Sequence, residues 1–263
     1  MSDSITAVVG AVLCMVLGAI RTADLIFFVD PATGFAQVGE AWYRYLAVLA
    51  GVVVLFVMSR RAHAKPAALL RSKAALGSCM LLAGGLMVES GVSTLLARSD
   101  AFVMPRGISL VISGAWLAVF GLQSFLEPPK KPLPVVFGLP MLAAPFWLTV
   151  ERFAMEPASV ARMNHIFGVL SAVGALCMAD LLLKVVFAPK SPMGRSMFFY
   201  GLTAFLLCTC LGFPQVVLEF AAGTADLLDL VQAGALAMLG LCGLVCAAYS
   251  TGRQLPSVKH ESL

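Results

Sequence analysis

Few side chains in this sequence are placed to do chemistry. The ionisable residues inside or at the edge of apolar runs include Arg21, Asp24, Glu89, Glu151, Arg152, His165 and Glu219. Glu89 is the sharpest case. It lies in LAGGLMVESGVSTLLARSD, nine residues before Arg98, about 13 Å along a helix. A charge buried that far in hydrocarbon costs several kcal/mol unless it is paired, neutralised or hydrated. Ser93 is its i,i+4 neighbour, and Ser90 and Thr94 extend a polar stripe. Glu89 reads either as a site carboxylate facing a cavity or as a structural glutamate paired with an arginine from another helix.

The other residues sit nearer predicted helix ends. Glu151 and Glu219 lie where water could reach them, and Arg21 and Asp24 at i,i+3 can pair within one helix. Asn164 and His165 come just after Arg162, so His165 reads as an interfacial hydrogen-bonding group or a pH-sensing one. The candidate binding set is therefore Glu89, Glu151 and Glu219 with Ser93, His165 and Asp24, and with Arg21 or Arg152 balancing charge.

Catalytic and cofactor signatures are missing. The chain has three histidines, His63, His165 and His260, and only His165 touches a predicted span, so bis-histidine haem ligation is excluded within one chain. There is no HExxH, GxSxG or P-loop. No catalytic residue, metal site or cofactor is expected, and the basic residues track topology rather than a nucleic-acid-binding pattern. All seven cysteines (Cys14, Cys79, Cys177, Cys208, Cys210, Cys242, Cys246) fall inside predicted spans, which excludes an extracellular disulfide framework.

Composition indicates the helices that carry these residues. Of 263 residues, 60% are hydrophobic and 12% charged, with a mean hydropathy of +0.94. A soluble domain has about 45–50% apolar and about 25% charged residues. The fold class is an all-α polytopic membrane bundle. Eight stretches approach the roughly 20 residues a membrane helix needs: 5–29, 42–58, 74–97, 107–126, 133–152, 163–187, 196–221 and 226–250. They pair as hairpins over 5–58, 74–126, 133–187 and 196–250, in a single transmembrane domain over 1–263. The longest connections, 30–41 and 59–73, are too short to fold alone. The acidic start MSDSI has no clear cleavage site, so the first stretch is expected to remain as a span.

Charge sets the expected sidedness. Arg60, Arg61, Lys65, Arg71, Lys73, Lys130, Lys131, Lys184, Lys190, Arg195, Arg253 and Lys259 fall on one side. Short Lys- and Arg-rich loops stay cytoplasmic, so both termini are expected inside a cell membrane. The bases of the other side are all arginines: Arg21, Arg44, Arg98, Arg106, Arg152 and Arg162. They stand among ten carboxylates: Asp24, Asp30, Glu40, Glu89, Asp100, Glu151, Glu156, Glu219, Asp226 and Asp229. Arginine suits planar, multidentate pairing, so this side reads as an ionic network or as ordinary loop charges.

A fourfold repeat is a candidate organisation. Each hairpin's first helix carries a helix-weakening residue before a charge: Gly18 before Arg21, Gly84-Gly85 before Glu89, Pro145 before Glu151, and Gly212 with Pro214 before Glu219. Asp180 and Lys184 form an i,i+4 pair elsewhere, and Thr224 reads as the cap of the last helix. Three functions remain open. The leading one is a transporter or substrate-binding protein with an outward-facing site for a small cationic or zwitterionic solute. The alternatives are a non-catalytic membrane subunit or receptor-like partner of a larger complex, and a membrane enzyme on a lipid-linked substrate using Glu89, Glu151 and His165. The expected partners are the lipid bilayer, a small solute and a membrane protein, with no nucleic acid.

Overall fold

The computed structural model describes residues 3–30, 33–37, 39–60, 74–97, 103–126, 135–154, 163–188 and 192–251. The basic stretches 61–73 and 127–134, the residues Arg98, Asp100, Glu156, Arg162 and Lys190, and the tail from 252 lie outside the described residues.

The described chain is helical because hydrocarbon offers a backbone no hydrogen bonds, and a helix satisfies its own. The helices are α1 (Asp3–Phe28), α2 (Ala41–Ser59), α3 (Ala74–Ala97), α4 (Val103–Gln123), α5 (Ala143–Ala154), α6 (Met163–Phe187), α7 (Gly194–Ala204), α8 (Phe213–Ala221) and α9 (Leu227–Thr251). A 3₁₀ segment, Val135–Leu142, leads directly into α5, and a π segment, Phe205–Gly212, joins α7 to α8. Seven helices, counting Gly194–Ala221 as one, are long and apolar enough to cross a membrane. The chain is a polytopic helical membrane protein.

The fifth expected span departs from a regular helix. It is 8 residues of 3₁₀ helix and then 12 of α-helix. Pro140 lies inside the 3₁₀ stretch and Pro145 within the first turn of α5. Neither can donate a backbone hydrogen bond. Helix α4 repairs the break. The Ser113 hydroxyl donates to the Pro140 carbonyl and accepts from the Ala144 N–H, both at 2.9 Å. The Trp116 indole donates to the Phe137 carbonyl at 2.6 Å.

The glycines of α3 do not break it. They bring it close to α4. Gly77, Gly84 and Gly91 face Gly121, Gly114 and Gly107, each series seven residues apart. A Cβ on Gly84 would lie 2.6 Å from the Gly114 carbonyl oxygen. Small residues of this kind let membrane helices pack backbone to backbone. Helix α9 then packs on α3, α7 and the π segment, while α1 packs on the π segment and α2 on α7. Helix α2 is peripheral, burying only Gly51, Leu55 and Ser59. One apolar core lies among α3 to α7 and α9, and a second lies where α1 and α2 meet α6, α7 and the π segment.

Two local expectations change. The cap of α9 is Asp226 rather than Thr224. Asp226 Oδ1 accepts from the Asp229 N–H at 2.8 Å, and Asp229 Oδ2 accepts from the Asp226 N–H at 3.3 Å. The Thr224 hydroxyl instead donates back to the Glu219 carbonyl, closing the turn. The expected repeat also splits: α1 and α3, which carry only glycines, run unbroken, while the segments with Pro140, Pro145 and Pro214 hold the irregular backbone. The Asp180–Lys184 pair forms at 2.6 Å on an exposed face of α6.

The Ser113 junction gives a direct stability test. Ser113→Ala leaves the Pro140 carbonyl and the Ala144 N–H unpaired and should cost about 1–3 kcal/mol. A lowered melting temperature of the detergent-solubilised protein is expected. Ser93→Ala, at an exposed position, should leave the melt unchanged.

Candidate functional site

The irregular segments open a cavity of about 620 Å³ at the end of the bundle that carries the α1–α2 and α8–α9 connections. Each wall is one helical face. Helix α5 supplies Leu148, Glu151 and Arg152, and α6 supplies Asn164, His165, Gly168 and Ser171. The π segment and α8 supply Cys208, Gly212, Gln215, Val216 and Glu219. Asp229, Gln232, Ala233 and Leu236 of α9 share one face at i, i+3, i+4 and i+7. Arg106 enters from the first turn of α4.

Loop backbone closes the rim. Gly34 has a φ of +72°, which favours glycine, and its Cβ would meet Asn164 Cγ at 2.9 Å. Its carbonyl accepts from the Met163 N–H at 3.1 Å, tying the α1–α2 connection to the start of α6.

The π segment positions the α8 face. A π turn inserts an extra residue and rotates the downstream side chains around the helix axis. Its polar groups find partners on neighbouring helices: the Thr209 hydroxyl donates to the Ala237 carbonyl at 2.8 Å, and the Cys208 thiol donates to the Ser171 carbonyl at 3.2 Å. Gln215 Nε2 then donates to Glu219 Oε1 and to the Asn164 carbonyl, both at 3.0 Å.

Two arginines and three carboxylates line the cavity. Arg106 sits between Glu151 and Asp229, at 3.6 and 3.8 Å, and donates to Gln232 Oε1. Arg152 donates to the Gly168 carbonyl, and among the described residues no carboxylate pairs with it. Several buried polar atoms here have no hydrogen-bond partner among the described residues. They are Arg106 Nε, Asn164 Oδ1, Gln215 Oε1 and Gln232 Nε2. Gln215 and Gln232 are 5% and 3% exposed. A polar ligand is what such groups would take.

Of the residues singled out in the sequence, Glu151, Arg152, His165 and Glu219 line this cavity. Arg21 and Asp24 do not. They belong to a separate cluster in which Asp24 holds Arg21 at 2.6 Å and Arg44 at 2.8 Å, tying α1 to α2. The Arg21 guanidinium also lies 4.1 Å over the Phe167 ring. Glu89 and Ser93 are elsewhere again. Both are exposed on the outer face of α3, beside Gly85, whose added Cβ would meet nothing within 4 Å. Glu89 makes no ion pair among the described residues. Depth along the helix carries no information about which way the Glu89 face looks.

Sequence reasoning did not single out Arg106, Gln215, Gln232 and Asp229 as site residues. The two glutamines had a usable signal, an amide inside an apolar helix, because a primary amide in hydrocarbon needs partners. Among the described residues no group of three or more metal-ligating side chains forms, and all seven cysteines are free thiols. The chain matches no family model, no curated protein and no solved structure.

Water access to the cavity can be tested by thiol labelling. Val216→Cys should react with a charged, membrane-impermeant thiol reagent well above the background of the native cysteines. Gly85→Cys, on the outer face of α3, should stay at background.

Proposed function

We propose that this protein binds, and moves across a cell membrane, a small cationic or zwitterionic solute that enters from outside. We take the sidedness from the charge bias of the sequence: eight crossings in one transmembrane domain, both termini in the cytoplasm, and the cavity mouth at the outer surface. The observation that carries this reading is convergence. Glu151 with Arg152, His165, and Glu219 come from three separated stretches of sequence and meet in one hollow within an apolar bundle. Broken helices around a polar site are a common architecture of secondary transporters. A polar hollow of this kind costs stability unless something polar occupies it. The three carboxylates outnumber the two arginines, which favours a solute carrying positive charge.

The test is a panel of small cationic and zwitterionic solutes, read by thermal stabilisation and by uptake into proteoliposomes. A solute at 100 times its Kd should stabilise the protein by about 2.7 kcal/mol. Glu219→Gln should weaken that solute's binding at least about tenfold, or about 1.4 kcal/mol. Binding without uptake would reduce the reading to a binding protein. No stabilisation by any member of the panel would overturn it.

One observation favours a second reading, a membrane subunit. Glu89 stands exposed and without an ion-pair partner among the described residues, within a long apolar helix. A carboxylate in hydrocarbon is costly, and a partner helix with a basic side chain at the same depth would relieve it. On this reading Glu89→Leu stabilises the isolated protein and abolishes co-purification of one defined polypeptide from native membranes. Unchanged composition of the purified protein would remove the reading.

A further inference from the structure

Resting on the solute-binding reading, the unpartnered atoms of the cavity specify the solute further. They are of two kinds. Asn164 Oδ1 and Gln215 Oε1 are acceptors, and Arg106 Nε and Gln232 Nε2 are donors. Both glutamines are more than nine-tenths buried and line the cavity. A simple cation would satisfy the acceptors and leave the donors unpaired. A simple anion would do the reverse, and would also face three carboxylates.

The two arginines are not equivalent. Arg106 is held between Glu151 and Asp229. Arg152 is held, among the described residues, only by a backbone carbonyl, that of Gly168. A guanidinium has five N–H donors in a planar fork, matched to a carboxylate or phosphate edge. Arg152 therefore has most of its donor capacity left for a ligand.

We propose that the cavity takes a zwitterion. Its ammonium goes to the carboxylates and to the acceptor oxygens of Asn164 and Gln215. Its carboxylate or phosphate goes to Arg152, assisted by the N–H groups of Arg106 and Gln232. The acceptors call for N–H donors, so a primary ammonium fits and a quaternary one does not. The shared chemistry has two sources, a free amino acid or the headgroup of an aminophospholipid.

Matched pairs decide between a zwitterion and a plain cation without any mutation. L-lysine is compared with cadaverine and L-tyrosine with tyramine, each amino acid against its decarboxylated amine. Binding to the purified protein is read by calorimetry and thermal shift. In at least one pair the amino acid should bind at least tenfold more tightly than the amine. O-phosphoethanolamine, and nanodiscs with or without phosphatidylethanolamine, form the phosphate arm. Preference for either of these over ethanolamine or phosphatidylcholine supports the same chemistry and assigns its source. Arg152→Gln should weaken the zwitterion at least tenfold and bring it no tighter than its amine, while the amine binds no more weakly than before. Arg152→Lys should recover part of the difference.

Equal binding within every pair, with no preference in the phosphate arm, overturns the zwitterion. So does an Arg152→Gln variant that binds the zwitterion normally. Amines that bind with dependence on Glu219 and indifference to Arg152 would remove this inference and leave solute binding standing. Absence of binding by every probe would remove both.

Discussion

Hydrocarbon supplies no hydrogen bonds, so irregular backbone survives inside a membrane only where other parts of the protein pair its polar groups. The cavity depends on two irregular stretches, the first paired in this way and the second bonded within itself and tied to its neighbours by side chains. At the first, Ser113 and Trp116 of α4 satisfy the 3₁₀ segment before α5. At the second, the π segment before α8 has its side chains tied to α6 and α9 through Cys208 and Thr209. Regular helices in both positions would place different faces toward the interior. The side chains of Glu151, Arg152, Gln215 and Glu219 point where they do because neighbouring helices hold the irregular turns in place.

The charges divide into two groups with different consequences. Asp24 lies between Arg21 and Arg44, with the aromatic face of Phe167 over Arg21. That cluster joins α1 to α2, where apolar burial is slight. A buried ion pair contributes little net stability but strongly penalises loss of one partner, so its effect here is to fix how α2 sits on the bundle. The second group, around Arg106, spans three helices with looser contacts of 3.6 and 3.8 Å. Looser pairing around orphaned amides is what a site has when its polar groups are arranged for something other than one another.

Much of the fold was legible from composition. The stretch 74–97 coincides with α3, and 5–29 and 42–58 differ from α1 and α2 by a few residues. The fifth stretch was found as an apolar run, but its 3₁₀ half was not, because proline signals a break without saying which geometry replaces the helix. The pocket-lining Glu151 and Glu219 were visible because each comes soon after a proline within an apolar run. Glu89 was equally visible and lies outside the cavity. In a helix apolar on every side, periodicity cannot tell the inward face from the outward one. The glycine heptads of α3 and α4 were present in the sequence, and they mark the face of α3 that packs, which is not the face of Glu89. Spacing of small residues thus carried the orientation that hydrophobicity could not.

The other end of the bundle explains why the hollow stops where it does. Past Cys208, α7 and α9 approach backbone to backbone. Gly201 and Gly243 lie in mutual contact, and a Cβ on Gly240 would strike the Thr209 hydroxyl and come within 3.0 Å of the Ala204 carbonyl. Met193, Met197, Cys242 and Cys246 fill the remaining space as part of the apolar core. The cavity is therefore one-sided in this conformation, with a polar end built on irregular turns and a dry end built on glycine contacts. The π segment runs between the two, its carbonyls bonded five residues on rather than four. That stretch is itself held on both sides: a Cβ on Gly18 of α1 would lie 2.8 Å from the Cys210 carbonyl oxygen, and one on Gly174 of α6 would lie 3.0 Å from the Leu207 side chain, so the hollow and the seal are joined by a segment packed as closely as the seal.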